Sequence, residues 1–443
     1  MEDYIPGLGG MAMEVKVLQE GQTLTWHFIL DETDGKYTEK IKMQGGTFSI
    51  VLPKEFDATL VHPDHLALIS LLVAHPFVGT ELILPFEVSE RFANATKIFT
   101  SYKVIHTNKT GHEYHAPKDS SPGLAFSGGA DSTACLLVMP DSTVSVFMDR
   151  PIRKKTSMYN KTAAYATIAH AQKQGHEMHS ILCDVEYLRQ PLGFPTDLVP
   201  SLPLLAIAQQ RSIDSIAFGT VMESAYRIGH EKARNYENSH HYRLWGSLFR
   251  AAGLPLFLPV AGISEVGTSK IVRESTFNAY TRSCIRGKWP NACENCWKCF
   301  RKNMVEEKFA NGQVPENYLI KGLAIKEVKL KISQMPISHE NVLAWALQGS
   351  QGAYSEVLIQ RLEGENRDLS YLECYYPPSI DLMPQKYQQE TENQILLFLK
   401  PMNEEDFAIV TSHKMTAWLE STNAIQAMKK FDEFMIEKFP TNS

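Results

Sequence analysis

A chain of 443 residues, 44% hydrophobic and 21% charged, has the composition of a folded protein and the length for two or three cores, which excludes disorder throughout. A formal net charge of −6 argues against a protein that coats nucleic acid through a broad basic face. No charged-then-apolar leader opens the sequence and no uncharged apolar stretch reaches the roughly 18 residues of a membrane span, so the chain reads as soluble and cytoplasmic, with no membrane partner.

Gly7-Leu8-Gly9-Gly10 reads as a flexible terminus. Residues 1–105 read as an N-terminal α+β accessory domain. β-rich runs lie at Thr23 to Leu30 and Thr47 to Leu52, turns at Asp34-Gly35 and Gly45-Gly46, and a helix start at Pro63-Asp64 leads the apolar stretch Leu66 to Val73. His62-Pro63-Asp64-His65 could be written as a metal motif, but the helix start accounts for it better. The polar segment 106–121 reads as a linker, with His112 and His115 solvated.

From residue 122 to 280, short apolar strands alternate with helical stretches, the pattern of a doubly wound, mostly parallel α/β sheet. The expected strands are Leu124 to Phe126, Val144 to Met148, His179 to Cys183, Ser215 to Phe218 and Leu256 to Pro259. A run of good helix formers from Ala163 to Ala171 stops at Gly175. Residues 281–305 hold a cysteine cluster, and residues 306–443 read as mainly helical, with amphipathic segments at His339 to Arg361 and Ala424 to Lys438. In doubly wound sheets ligands bind at the carboxyl ends of the strands, where the strand order reverses.

The first of these strands runs into Phe126-Ser127-Gly128-Gly129-Ala130-Asp131-Ser132-Thr133 and then into an apolar helix. Glycines let the backbone approach phosphate oxygens, and free amides at a helix start favour negative charge. Ser127 and Ser132 add hydroxyl donors, and Asp131 is a carboxylate able to hold Mg2+. The plainer reading is a Ser/Gly turn with Asp131 as the helix cap. The string resembles the motif of the PP-loop ATP pyrophosphatase superfamily, which implies an adenine nucleotide alpha hydrolase-like fold, ATP bound on the loop and pyrophosphate released. The resemblance extends to Gly219, where the family brings a second backbone segment to the nucleotide, and to Lys270, where many members carry a lysine for developing phosphate charge. Arg150, past the second strand, is a further candidate of low specificity.

Four of the seven cysteines, Cys284, Cys293, Cys296 and Cys299, fall within sixteen positions. Cys-x8-Cys-x2-Cys-x2-Cys supplies four thiolates for one tetrahedral ion, with Zn2+ in a structural role as the first reading and an iron–sulfur cluster as its rival. Cys135, Cys183 and Cys374 read as scattered thiols. A PP-loop followed by this spacing resembles the QueC family, the 7-cyano-7-deazaguanine synthases, in which the four cysteines bind zinc. The resemblance covers roughly residues 122–305.

It implies an ATP-dependent, AMP-forming ligase that adenylates a carboxylate, 7-carboxy-7-deazaguanine or a derivative, to give an amide, nitrile or conjugate. Where the family carries a Gly-Tyr-Pro-Asp-Cys-Arg type segment for its substrate, this chain reads Glu223 to Glu231, and Glu223 with the His240-His241 pair are the candidates there. The added outer domains suggest a larger acceptor than ammonia, a protein or nucleic acid, and QueC-like proteins with such additions occur in anti-phage defence systems, so a homodimer or defence-complex partners are expected for this chain. The alternatives are a PP-loop tRNA sulfurtransferase and a non-catalytic nucleotide-binding subunit of a defence complex.

Overall fold

The computed structural model describes residues 12–153, 157–362 and 367–439. The expected flexible stretch Gly7 to Gly10 lies outside them. The chain begins with β1 (Ala12–Glu20), β2 (Thr23–Ile29), the short β3 (Lys36–Thr38) and β4 (Ile41–Met43), and β5 (Thr47–Val51). In β2, Leu24, Trp26 and Phe28 are buried while their neighbours are not, the two-residue period of a strand with one face on a core. Helix α1 (Pro63–Ala74) follows, its first turn capped by His62 Nδ1, which accepts from the Asp64 amide at 3.1 Å. Asp64 turns inward and accepts from the Ser89 amide at 2.8 Å and hydroxyl at 2.7 Å, so the His-Pro-Asp-His string is a helix start.

Strands β6 (Glu81–Ser89) and β7 (Lys103–Gly111) run parallel to each other. The segment expected as a linker is therefore half strand. It reads as polar because β7 is the last strand of its sheet and leaves Thr107 to Thr110 exposed. Beyond it Tyr114 is buried, and its hydroxyl donates to the Ile213 carbonyl at 2.8 Å.

The α/β half consists of β8 (Ser121–Phe126), α2 (Ala130–Val138), β9 (Val144–Asp149), α3 (Thr162–Lys173), β10 (Glu177–Cys183), the two-residue β11 (Arg189–Gln190), β12 (Ile213–Ala217), α4 (His240–Ala251), β13 (Leu256–Phe257), α5 (Glu265–Arg273) and α6 (Trp297–Asn311). All five strands anticipated from the sequence are present, with ends shifted by one to three residues. One ten-stranded sheet has the order β13-β12-β8-β9-β10-β5-β2-β1-β6-β7, and a small second sheet has β11-β4-β3. Pairing is parallel from β13 through β10, antiparallel from β10 through β5 and β2 to β1, and parallel again to β7. The N-terminal strands thus continue the sheet. They join it through Val51 opposite Leu182 and Ile50 opposite Cys183.

Alternation along the parallel strands divides the interior in two. Leu124, Phe126, Phe147 and Ala217 pack with residues of α2, α3 and α5 on one face. Ala125, Val146, Ile181 and Ile216 pack with α1 and α4 on the other. Helices cover both faces, and the order reverses between β8 and β12. The remaining chain is helical, including α7 (Glu340–Leu347), α8 (Ala353–Arg361) and α9 (Thr422–Lys438). It closes on the β12–β13 side, where the Lys386 ammonium and Tyr387 hydroxyl each donate to Asp214 at 2.7 Å and the Tyr387 ring stacks on Phe257. No helix among the described residues is long and apolar enough to cross a membrane.

Candidate functional site

The loop after β8 sits where the sheet order reverses. Gly128 has φ +75°, a conformation that favours glycine, and a Cβ there would lie 2.8 Å from the Ala164 Cα. The loop is closed by its own hydroxyls: Ser127 Oγ lies 2.9 Å from Ser132 Oγ, which accepts from the Ser127 amide at 3.2 Å. Gly129 is the residue before α2, and Asp131 does not act as its cap. Gly219, leaving β12, is packed so closely that a Cβ would meet the Ser132 nitrogen at 2.8 Å, so the sequence-derived juxtaposition of Gly219 with the loop holds in space.

Asp131 is instead the outer end of a buried ionic chain. Its Oδ1 accepts from the Thr268 hydroxyl and the Lys302 ammonium, both at 2.9 Å. Lys302 also lies 3.4 Å from Glu265, whose two oxygens are gripped by Arg301 at 2.9 Å each, with His339 at 3.6 Å. Burial would raise the Asp131 and Glu265 carboxyls, but Lys302 at the first and Lys302 with Arg301 at the second outweigh it and hold both below the ordinary range. Glu223 lies behind this chain. It accepts from the Glu265 amide at 3.0 Å and from Asn341 at 3.1 Å, and burial, then the Glu265 charge, push its carboxyl up to about 7.

The four cysteines converge. Their sulfurs all lie within 4.8 Å of one another, close enough for a single ion such as zinc, whereas a multi-iron cluster would have to sit between them and hold them further apart. Backbone amides support the sulfurs: Arg286 donates to Cys284 at 3.3 Å, Asn295 to Cys293 at 3.5 Å and Cys299 to Cys296 at 3.4 Å. Cys296 is the cap of α6, so the ligand spacing sets the start and direction of that helix. One turn on, Lys298, Arg301 and Lys302 share a face and reach back toward the loop. Ser283, beside the first cysteine, accepts from the Ala130 amide at 3.0 Å.

Two cavities flank the loop and share the wall Arg282, Ser283, Cys284 and Lys298. One, of ≈ 270 Å³, opens at the carboxyl ends of β8 and β9 between Phe126, Phe147, Met148, Ala164 and Phe194. Arg150 lines it, its guanidinium 3.7 Å from the Tyr159 ring centroid and paired with Glu186 at 2.8 Å. The other, of ≈ 430 Å³, has a mixed lining with charged side chains and lies between Ala130, α5 and α6. Cys135, Cys183 and Cys374 line neither, and burial pushes all three thiols up.

Not every residue singled out in the sequence reaches the loop. Lys270 is two residues past Thr268, some 200° round the helix. Its ammonium faces Glu373 at 4.0 Å, and it lines neither cavity. His241 pairs with Asp197 at 3.0 Å, and neither His240 nor His241 lines a cavity. Conversely, Lys298, Lys302 and Ser283 went unmarked, although the Lys298, Arg301, Lys302 stripe at helical spacing directly after Cys296 was a readable signal.

A model of a family of unknown function (DUF6395) matches residues 244–414, from α4 through the cysteine cluster and much of the helical region. Neither a curated protein nor a solved structure matches the chain.

Proposed function

We propose that this protein is a QueC-like, PP-loop enzyme that binds ATP on the Ser127–Ser132 loop, transfers AMP to a carboxylate and releases pyrophosphate. The observation that carries the reading is the placement of Ser127, Gly128, Gly129 and Ser132 at the reversal of the sheet order, under the backbone of Gly219. The apolar cavity beside the loop suits a purine, with Phe126 and Phe147 as its walls and Arg150 at its rim. The first-turn amides of α2 and the Ser127 and Ser132 hydroxyls are the donors for phosphate oxygens. Asp131 is the carboxylate for magnesium: Thr268 and Lys302 both bond its Oδ1, and Oδ2 would be the oxygen for the ion.

Cys284, Cys293, Cys296 and Cys299 would hold zinc. A closed set of four thiolates supplies no open position, so the ion's contribution is to fix Ser283 and the start of α6. The chain's own part in adenylation is then positioning and charge placement, since a carboxylate made into an acyl adenylate already carries a good leaving group. The substrate we propose is a 7-deazaguanine bearing a carboxylate, with ammonia or a larger amine as acceptor. The burial of Cys135 and Cys183, and the raised thiol of the half-buried Cys374, favour this reading over sulfur transfer, which needs a reactive thiol.

The test is mass spectrometry of the nucleotide products formed from ATP and 7-carboxy-7-deazaguanine, with ammonia or cell extract as the source of acceptor. AMP, pyrophosphate and a new deazaguanine product are expected. ADP as the sole nucleotide product overturns the proposal.

A further inference from the structure

The ≈ 430 Å³ cavity has the buried Lys302 at its edge. The cavity abuts the loop at Ala130, and its wall carries Arg282, Lys298 and Lys302 with Asn278 and Asn303, and also Glu306, whose carboxylate is paired with Arg273 at 2.8 Å. Thr281, also in the wall and 8% exposed, has a hydroxyl with no hydrogen-bond partner among the described residues. A space with three cations, two amides and an unused hydroxyl next to a helix start suits a compact polyanion. It does not suit a base.

We infer that this cavity holds the β- and γ-phosphates of ATP and then the pyrophosphate, and that Lys302 is the cation that moves onto them. The inference rests on the ATP reading of the loop. Lys302 is held 2.9 Å from Asp131, with its side chain only 9% exposed. It is the member of the ionic chain that can leave. Glu265 keeps two bonds from Arg301 when Lys302 goes, so no carboxylate is stranded there. Asp131 keeps the Thr268 hydroxyl and becomes available to the divalent cation that accompanies the phosphates. Lys302 exchanges one carboxylate for a more highly charged partner, and the buried charge stays balanced. Without a ligand, Lys302 is a stand-in that keeps Asp131 neutralised. Helix α6 delivers it, and the cysteine cluster sets the start of that helix.

The test is calorimetric titration of the full chain with magnesium pyrophosphate and, separately, with AMP. Lys302→Gln should weaken pyrophosphate binding by about tenfold or more, as expected for loss of a charge-assisted hydrogen bond, with AMP affinity close to the parent and a lower melting temperature, because Asp131 loses its buried cation. Lys302→Arg should restore much of the binding, and Lys270→Gln should bind both ligands as the parent does. Loss of pyrophosphate binding in Lys270→Gln with none in Lys302→Gln overturns the inference. A parent protein that binds neither ligand overturns the ATP reading itself. Should Lys302→Gln not fold, a crystal structure of the parent with magnesium pyrophosphate decides. Lys302 Nζ on a phosphate oxygen supports the inference, and Lys302 still on Asp131 overturns it.

Discussion

The Ser283 hydroxyl accepts a hydrogen bond from the Ala130 amide at 3.0 Å, joining the residue before Cys284 to the first residue of α2. The cysteine cluster is therefore tied directly to the loop. Cys296→Ser removes a thiolate from the cluster while keeping an oxygen that can cap α6. If the cluster holds zinc as proposed, the variant should lose it and its melting temperature should fall by several degrees. Ser283→Ala should cost only about 1 kcal/mol, as expected for one hydrogen bond. Metal analysis and thermal unfolding of both variants check this. Full zinc content in Cys296→Ser would sink the assignment of that ligand.

Gly128 takes φ +75° with Ala164 packed against it. Gly128→Ala adds a Cβ where backbone already stands and forces a conformation that disfavours alanine, at a cost on the order of 1–3 kcal/mol. Denaturant unfolding should show this loss. A variant as stable as the parent would mean that the loop relaxes freely.

The Glu223 carboxyl is raised to about 7 by burial and by the Glu265 charge. A raised carboxyl means that the folded chain keeps a proton which the unfolded chain has lost, so this group's contribution falls as pH rises from about 4.5 to 7. Glu265, held low by Lys302 and Arg301, contributes above the unfolded value and changes little across that window. Glu223→Gln should therefore be more stable than the parent at pH 8 and gain little or nothing at pH 5. Asn341 Oδ1, which has no hydrogen-bond partner among the described residues, can accept from the new amide. Equal gains at both pH values would show that the charge is not the cause.

Arg301 and Glu265 form a two-bond pair whose side chains are 9% and 2% exposed. Arg301→Met leaves Glu265 with Lys302 and His339 alone and should destabilise the protein by about 3–5 kcal/mol. Chemical unfolding measures it, and a change under 1 kcal/mol would contradict the burial of the pair.

A chain starting at residue 112 would lose β5 from beside β10 and bare the apolar residues under α1. It should be recovered mainly as aggregate. Soluble, cooperatively unfolding material would restore the independent N-terminal domain expected from the sequence.

The parts readable in the sequence were those whose cause is local. Glycine at 128, strands of alternating burial and the cysteine spacing each follow from neighbours along the chain. Lys302 is 171 positions from Asp131, and nothing near either residue announces the other. The linker reading failed at β7 for a related reason: an outer strand with one solvated side has the composition of a loop. The resemblance points to Lys270, yet the turn of α5 points Thr268 at the loop and Lys270 at Glu373.

The antiparallel joint between β5 and β10 also decides where the sheet ends. Without it, β10 would offer its free backbone to any extended segment in solution. With it, the outermost strand on that side is β7, five strands further on, carrying Lys103 and Lys109. A second copy docking strand to strand there would set lysines against lysines, so this border resists self-association.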